Sequence, residues 1–227
     1  MNVDVALVAW PNHIKRFQYF QLALLSLKAF LTAGKHNLRY LCSVETAKAD
    51  DSPSWETPLR RLCSEHDVAI VHRTAKPSLG GNMNHALDRC ESDLILLVQE
   101  DCILLRPLDL EPDIDLMIEH PEIEMIRFEW ATDPNRTVLG PTIEYAWRCL
   151  LPVRRIYSDR PHLQRRTHRD KWGRYTEGGP HGSSESEMDR VMREGKALVL
   201  IPDKPYFQHI GSLSALPDDS RSWKEKR

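Results

Sequence analysis

The sequence is short of cysteine, and it has no long apolar run. Its five cysteines are widely spaced and contain no C-x-x-C pair, which argues against a disulfide framework or a cysteine-based zinc site. No apolar stretch approaches the roughly 20 residues that cross a bilayer, and the opening "MNVDVALVAW" lacks the basic region of a secretory signal. We therefore expect reduced thiols, no transmembrane segment and a cytoplasmic location.

An excess of charge of one sign is also absent, as are three common enzyme motifs. The formal net charge of −2 gives no whole-molecule argument for binding nucleic acid or a membrane. The sequence contains no G-x-G-x-x-G fingerprint, no G-x-x-x-x-G-K-[ST] phosphate loop and no G-x-S-x-G elbow. These absences argue against dehydrogenases, P-loop NTPases and α/β-hydrolases.

The pattern that is present is an alternation of strands and helices. In the first hundred residues, near-continuous apolar strand patterns cover residues 3–10, 38–44, 68–72 and 94–98, with helix patterns between them. This order predicts a mostly parallel sheet covered by helices on both faces. In the second half, residues 123–130, 142–153, 197–201 and 206–210 have strand patterns, and we expect antiparallel strands among them.

Two adjacent carboxylates, Glu100 and Asp101, end the fourth strand pattern. Burying an unpaired carboxylate costs on the order of several kcal/mol, so a positive partner is expected. Ligands of parallel sheets bind at the carboxyl ends of the strands, which places Trp10 and Glu45 at the same edge. The partner is then either a divalent cation that bridges phosphates or, in an ordinary polar strand end, Arg106.

The order strand–"QEDC"–apolar run, after "GGNMNHALDRC", resembles the acidic motif of GT-A-fold glycosyltransferases, which binds a divalent cation on a nucleotide-sugar diphosphate. Gln99 stands where that family often has its first Asp, so Asp101 with its neighbour Glu100 carries over. "VALVAWPN" and the following helix with Arg16 resemble the family's opening strand and nucleotide-contacting loop. "YFQHIGSLS" resembles a segment whose histidine completes the metal shell in some members.

The resemblance implies a GT-A-like Rossmann-type α/β sheet and a metal-dependent hexosyltransferase that uses a nucleotide-diphosphate sugar, for example a UDP-sugar. We expect one domain with a nucleotide-binding half (1–105), an acceptor-binding and catalytic half (106–211) and a loose tail (212–227). The metal, Mn²⁺ or Mg²⁺, would be held by Asp101 and His209, although a core position for His209 is an equal alternative. The donor site would be formed by Trp10, Asn12, Glu45, Asn82 and Glu100.

A late helix beginning near Ser184 resembles the family's acidic helix, where an acceptor-side carboxylate acts. Ser184 and Glu187 fit a capping box, which gives Glu187 a structural role. The helical period places Glu185 nearer to the apolar stripe than Glu187 or Asp189. Glu185 is therefore our candidate general base, with inversion at the anomeric carbon expected. Compensation of the helix dipole is the alternative role for Glu185.

A basic segment, residues 154–174, precedes that helix and carries eight Lys or Arg and two Asp. It lacks periodicity, so we expect residues 158–182 to form a long loop. With Tyr157, Trp172 and Tyr175 interleaved, it suits a phosphate-bearing acceptor such as nucleic acid (a hydroxylated DNA base, for instance) or a phospho-carrier, or the donor's own diphosphate. The alternative is a solvated loop. Its basic residues are Arg154, Arg155, Arg160, Arg165, Arg166, Arg169, Lys171 and Arg174.

Two rival functions stay open. A nucleotidyltransferase also uses a metal held by carboxylates, but "AWPNHIKR" lacks the glycines that such an enzyme typically has after its first strand. A non-catalytic nucleic-acid-binding protein would use the basic segment, and its affinity would fall steeply with salt.

Overall fold

The structure, a computed structural model, describes residues 1–10, 14–45, 56–73, 78–128, 143–145, 148–152, 156–178, 182–202 and 204–211. Its helices are α1 (Ile14–Phe30), α2 (Glu56–Glu65), α3 (Leu79–Leu87), α4 (Glu111–Glu119), α5 (His168–Trp172) and α6 (Ser183–Glu194). The strands of the first half are β1 (Asn2–Ala9), β2 (Leu31–Thr32), β3 (Asn37–Glu45), β4 (Val68–Arg73), β5 (Leu94–Gln99) and β6 (Cys102–Leu104). Those of the second half are β7 (Leu108–Asp109), β8 (Ile123–Arg127), β9 (Ile143–Tyr145), β10 (Arg148–Pro152), β11 (His162–Arg165), β12 (Leu198–Pro202) and β13 (Phe207–His209).

The described strands form one nine-stranded sheet and two small ones. The order in the large sheet is β4-β3-β1-β5-β11-β8-β12-β10-β9. The first four strands are mutually parallel, and within the described part of this large sheet antiparallel pairs occur only where β11 or β10 takes part. The predicted fold class, a mostly parallel sheet with antiparallel strands in the C-terminal half, is confirmed.

Both faces of the central strands β1 and β5 are buried, as their near-continuous apolar sequences require. In β1, Leu7 belongs to a hydrophobic cluster with Phe20 of α1. Its neighbour Val8 points to the other face and belongs to a second cluster, with Met83 of α3 and Met188 of α6. No helix in the described part of the chain is long and apolar enough to cross a membrane.

The prediction of a long loop over residues 158–182 is wrong at residues 162–165 and 168–172. Residues 162–165 form β11, which lies in the middle of the sheet between β5 and β8, and α5 follows. The sequence signal was weak because His162 and Gln164 are polar, yet each is only 1% exposed. A central strand with buried polar side chains has no apolar run from which it could be recognised.

The carboxyl ends of β1, β3, β4 and β5 lie along one edge of the sheet. Val8 is paired with Gln99, Ala9 with Val44, and Glu45 with Arg73. A second, two-stranded sheet lies beyond β5, in which β13 runs antiparallel to β6 with His209 opposite Cys102. The fold thus brings the end of the chain back to the carboxylates that follow β5.

Candidate active site

Asp101 and Glu100 are buried at this edge, and their positive partner is Arg16. The arginine extends from the first turn of α1, and its Nη1 lies 3.0 Å from Glu100 Oε1 and 3.1 Å from Asp101 Oδ2. Arg106, the partner expected for an ordinary polar strand end, is exposed. Sequence reasoning missed this role for Arg16, because 84 residues separate it from Glu100 and only the fold brings them together.

His209 reaches the same carboxylate from β13. Its Nε2 lies 3.1 Å from Asp101 Oδ2, and the next backbone N–H, that of Ile210, donates to the Asp101 carbonyl at 2.8 Å. The two residues expected to hold a metal are therefore in contact. The side chain of His209 is 26% exposed, so it faces the edge of the sheet rather than the core.

Burial and the neighbouring charges shift the pKa values of the two carboxylates in opposite directions. Burial raises the pKa of Glu100 to about 7; the charge of Arg16 opposes this rise, and the charge of Asp101 adds to it. Burial also acts to raise the pKa of Asp101, but the hydrogen bond and charge of His209, together with Arg16, hold that pKa below its ordinary value. Asp101 is therefore the ionised member of the pair near neutral pH, as a metal ligand must be.

Gly211 leaves room beside these two side chains. A Cβ at this position would lie 2.6 Å from Asp101 Oδ2 and 3.2 Å from His209 Nε2. A carboxylate oxygen and an imidazole nitrogen suit Mn²⁺, and Mg²⁺ is commonly held by one or two carboxylates plus substrate phosphates. Within the described ranges no group of three or more His, Cys, Asp or Glu converges. The donor set therefore fits a cation whose remaining positions are filled by phosphate or water.

Glu45 is buried and already has partners. It forms an ion pair with Arg73, and both of its carboxylate oxygens accept from the backbone N–H of Ser78, at 3.0 and 3.1 Å. Burial raises the pKa of Glu45 against the opposing effects of Ser78 and Arg73. Glu45 therefore anchors the start of α3 at the sheet edge, and Arg73 is a site-edge residue that the sequence did not suggest.

Asn82 lies inside α3 and connects three elements. Its Nδ2 donates to the carbonyl of Ala9 at 2.9 Å, and its Oδ1 accepts from Ser43 Oγ at 2.6 Å. It thereby fixes the end of β1, directly before the half-buried Trp10, relative to β3. Asn12 lies outside the described residues, so its expected role is a prediction without a structural counterpart.

Helix α6 begins at Ser183, but the predicted capping box is wrong. The N-cap is Gly182, with φ of 82° and no side-chain hydrogen bond, and Glu187 instead pairs with Arg190 at 2.7 Å. Glu185 is half-buried in the first turn. The expectation that Glu185 lies further inward than Asp189 is also wrong, because Asp189 is buried.

The start of α6 lies beside the start of α3. A Cβ on Gly80 would lie 3.2 Å from the Cβ of Ser184 and would collide with the backbone of Thr176. The chain before α6 is held to α3 by Asn84, which exchanges hydrogen bonds with the backbone of Tyr175 at 2.9 and 3.1 Å. The fold therefore positions the first turn of α6, with Glu185, near the edge formed by β3, β4 and α3.

The described part of the basic segment is not an open basic surface. Arg169 and Arg174 both pair with Asp88, at 2.8 and 2.9 Å, and Lys171 pairs with Glu124. The interleaved aromatic residues Tyr157, Trp172 and Tyr175 are buried in the core, so their side chains do not form part of an exposed acceptor surface. Arg154 and Arg155 lie outside the described residues.

Four of the cysteines lie among the residues whose side chains the structure describes. Cys42, Cys63, Cys90 and Cys102 are free and buried. Burial raises the pKa of the Cys90 thiol to about 12, which makes it unreactive at neutral pH. Cys149 lies outside the residues whose side chains are described.

Comparison with known proteins identifies the fold but not a family. No family model matches the chain, and no curated protein matches its sequence. Structures of S. aureus TarS, a GT-A-type glycosyltransferase, have the same fold. TarS 1–349 matches with a TM-score of 0.63 and 15% identity over 93% of this chain and 61% of that chain.

Two further TarS structures contain nucleotide ligands. The complex of TarS 1–349 with UDP-GlcNAc matches with a TM-score of 0.62 and 16% identity, over 94% of this chain and 61% of that chain. The complex with UDP matches with a TM-score of 0.60 and 15% identity, over 92% and 60%. At this identity the likeness establishes the GT-A-like fold, and the chain spans about three fifths of the TarS fragment.

Proposed function

We propose that the protein is a glycosyltransferase that takes a sugar from a nucleotide-diphosphate donor with the help of a divalent cation. The observation that carries the proposal is the meeting of Asp101 and His209, 3.1 Å apart, at the carboxyl edge of the central parallel strands. That edge is where open α/β sheets bind ligands. The fold is shared with TarS, which has been crystallised with UDP-GlcNAc and with UDP.

On the donor side, Asp101 and His209 would hold Mn²⁺ or Mg²⁺. Such a cation supplies charge neutralisation for the departing diphosphate. Glu100 supports Asp101 from the adjacent position, and Trp10, Asn12, Glu45 and Asn82 would line the nucleoside pocket. Because Glu45 is tied to Arg73 and Ser78, its contribution is to shape that pocket as much as to contact the nucleotide.

On the acceptor side, Glu185 would take the proton from the acceptor hydroxyl. It lies half-buried in the first turn of α6, and a positioned carboxylate is what a general base needs. Direct attack by the activated hydroxyl on the anomeric carbon would give an inverted product. The free cysteines suit the cytoplasmic location that we expect for this reaction.

A phosphate-bearing acceptor stays a prediction, and the rival of a nucleic-acid-binding protein loses support. Arg165, Arg169 and Lys171 are engaged within the fold, and release of such pairs would offset the gain from binding phosphates. A polyanionic acceptor would therefore depend on the remaining cations of the segment, for example Arg154 and Arg155.

The test is release of nucleoside diphosphate from a panel of UDP- and GDP-sugars, with and without Mn²⁺. We expect Asp101→Asn to lower the rate by at least about a hundredfold, because the metal clamp on the leaving group is lost. Asp93→Asn is the matched control: Asp93 is an exposed carboxylate next to the opposite end of β5. Equal rates for the two variants would overturn the metal assignment, and release of pyrophosphate would indicate a nucleotidyltransferase.

A further inference from the structure

Arg16 contacts the carboxylate oxygen of Asp101 that a metal held by Asp101 and His209 would also contact. Its Nη1 donates to Oδ2 of Asp101 at 3.1 Å, and this is the same oxygen that faces His209 Nε2 at 3.1 Å. The guanidinium and the imidazole therefore meet on one carboxylate oxygen. Glu100 Oε1, at 3.0 Å, is the other acceptor of Nη1.

The ion pair matters in the metal-free protein because both carboxylates are buried. Two buried carboxylates side by side without a cation would be strongly destabilised. Their charges, acting against burial, raise the pKa of Arg16 above its ordinary value. A single guanidinium nitrogen contacts both groups, so Arg16 is a compensating charge that the two carboxylates share.

The same ion pair is only loosely fixed. The side chain of Arg16 is 33% exposed, and within the described residues only Nη1 forms a hydrogen bond, so Nε and Nη2 remain available. A guanidinium held through one of its nitrogens can rotate away without breaking a bidentate contact. Arg16 can therefore leave the carboxylates at a modest cost when another cation replaces it.

We propose that Arg16 is the resident counter-charge of the donor site and that a divalent cation displaces it from Asp101. A cation on Oδ2 would lie about 2.1 Å from that oxygen, so it and the present position of Nη1 would be at most about 5 Å apart. Repulsion between the two positive charges favours release of Arg16. This inference rests on the proposed function, in which Asp101 and His209 hold a metal.

Displacement has a consequence for the donor. After its release from the carboxylates, the guanidinium of Arg16 has its N–H donors available at the carboxyl edge of the sheet. The oxygens of a diphosphate can accept hydrogen bonds from these donors. Metal and nucleotide should then favour each other's binding, since the nucleotide provides the anion that the displaced arginine has lost. Arg16 thus makes occupation of the site by metal alone less favourable than occupation by metal and nucleotide together.

The test is a titration of the full chain with Mn²⁺, in which electron paramagnetic resonance measures the concentration of free Mn²⁺. We expect Arg16→Gln to bind Mn²⁺ alone about fivefold more tightly than the wild type or better, because no cation has to be displaced. UDP should tighten Mn²⁺ binding more in the wild type than in Arg16→Gln. Arg106→Gln, which removes an exposed arginine from the chain after β6, is the control and should bind Mn²⁺ like the wild type.

Thermal unfolding gives a second measurement that a purely structural ion pair would not reproduce. Arg16→Gln should melt at a lower temperature than the wild type without metal, and saturating Mn²⁺ should close most of this gap. An equal gap with and without Mn²⁺ would mean that Arg16 stays on the carboxylates, which overturns the proposal. If Arg16→Gln does not fold, Arg16→Lys, which keeps the positive charge, takes its place. Its melting temperature should show the same trend with a smaller shift.

The outcomes separate this inference from the proposed function. If Asp101→Asn abolishes Mn²⁺ binding while Arg16→Gln binds Mn²⁺ like the wild type, the metal site stands and displacement of Arg16 is refuted. If the wild type and every variant fail to bind Mn²⁺ with or without UDP, both the metal site and the displacement are refuted.

Discussion

At the scale of single residues, two neighbouring carboxylates have different pKa values because their surroundings differ. Asp101 contacts both Arg16 and His209, whereas Glu100 contacts Arg16. Burial raises the pKa of Glu100 to about 7, while the added contact with His209 keeps the pKa of Asp101 low. Asp101 is the metal ligand that we propose from the motif, and a carboxylate that stays ionised near neutral pH suits that role.

Gly211 provides a prediction at this scale. Gly211→Ala would place a methyl group 2.6 Å from Asp101 Oδ2 and 3.2 Å from His209 Nε2, which is too close for either to keep its position. We expect the variant to fold, because this glycine is not among those with positive φ, and to lose at least about half of the Mn²⁺-dependent rise in melting temperature. A rise equal to that of the wild type would show that the space beside Asp101 is not used by a metal.

At the scale of elements, β11 shows what the sequence could not reveal. The four apolar strands of the parallel half were predictable, because burial on both faces produces continuous apolar runs. The strand β11 was not, because its burial depends on partners far away in sequence. Arg165, at its end, donates to the carbonyls of His120 and Ile123 at 3.1 Å and also to that of Met117. An arginine expected to bind an acceptor instead caps the end of α4.

This role predicts the effect of removing Arg165. Arg165→Ala leaves the carbonyls after α4 without a charged donor, and we expect the free energy of unfolding to fall by about 2–4 kcal/mol. Arg166→Ala is the matched control, since Arg166 is exposed and lies 3.9 Å from the exposed Asp93; it should change stability by less than about 0.5 kcal/mol. The measurement is urea denaturation of both variants. Similar stabilities would contradict the capping role.

At the scale of the whole molecule, one sheet runs through both expected halves of the chain. β5 of the first half pairs with β11 of the second, and β8 and β12 extend the sheet further. The edge at which the candidate site lies could be predicted from the order of strands and helices. The return of the chain to that edge through β13 could not, because it depends on the pairing of β13 with β6, which no local pattern records. The domain boundaries and the tail at 212–227 stay predictions.

The stability of the whole fold depends on pH, and the buried side chain of His168 should contribute to this dependence. His168 is buried, and neither ring nitrogen has a hydrogen-bond partner among the described residues. Burial lowers its pKa to about 3, so between pH 6.5 and 3 the unfolded chain binds a proton that the native protein does not. Above pH 6.5, His168 is neutral in both the folded and the unfolded chain, so proton binding at this residue does not lower the free energy of unfolding. As the pH falls from 6.5 towards 3, the free energy of unfolding decreases because the unfolded chain gains a proton at this residue.

We expect His168→Leu to weaken the dependence of stability on pH. Below pH 6, the free energy of unfolding of the variant should fall less steeply than that of the wild type, by about 1.4 kcal/mol per pH unit. Urea denaturation at pH 7, 6 and 5 measures the difference. Parallel curves for the two proteins would show that His168 is charged or solvated in the native state.

The central claim is that Asp101 and His209 bind a divalent cation together with a nucleotide diphosphate. The most direct measurement is a crystal structure with Mn²⁺ and UDP, recorded with anomalous scattering from manganese. We expect one anomalous peak about 2.0–2.3 Å from both Asp101 Oδ2 and His209 Nε2, with the diphosphate on its open side and Arg16 moved away from Asp101. UDP bound with no manganese at these residues, and with Arg16 still on Asp101, would contradict the account.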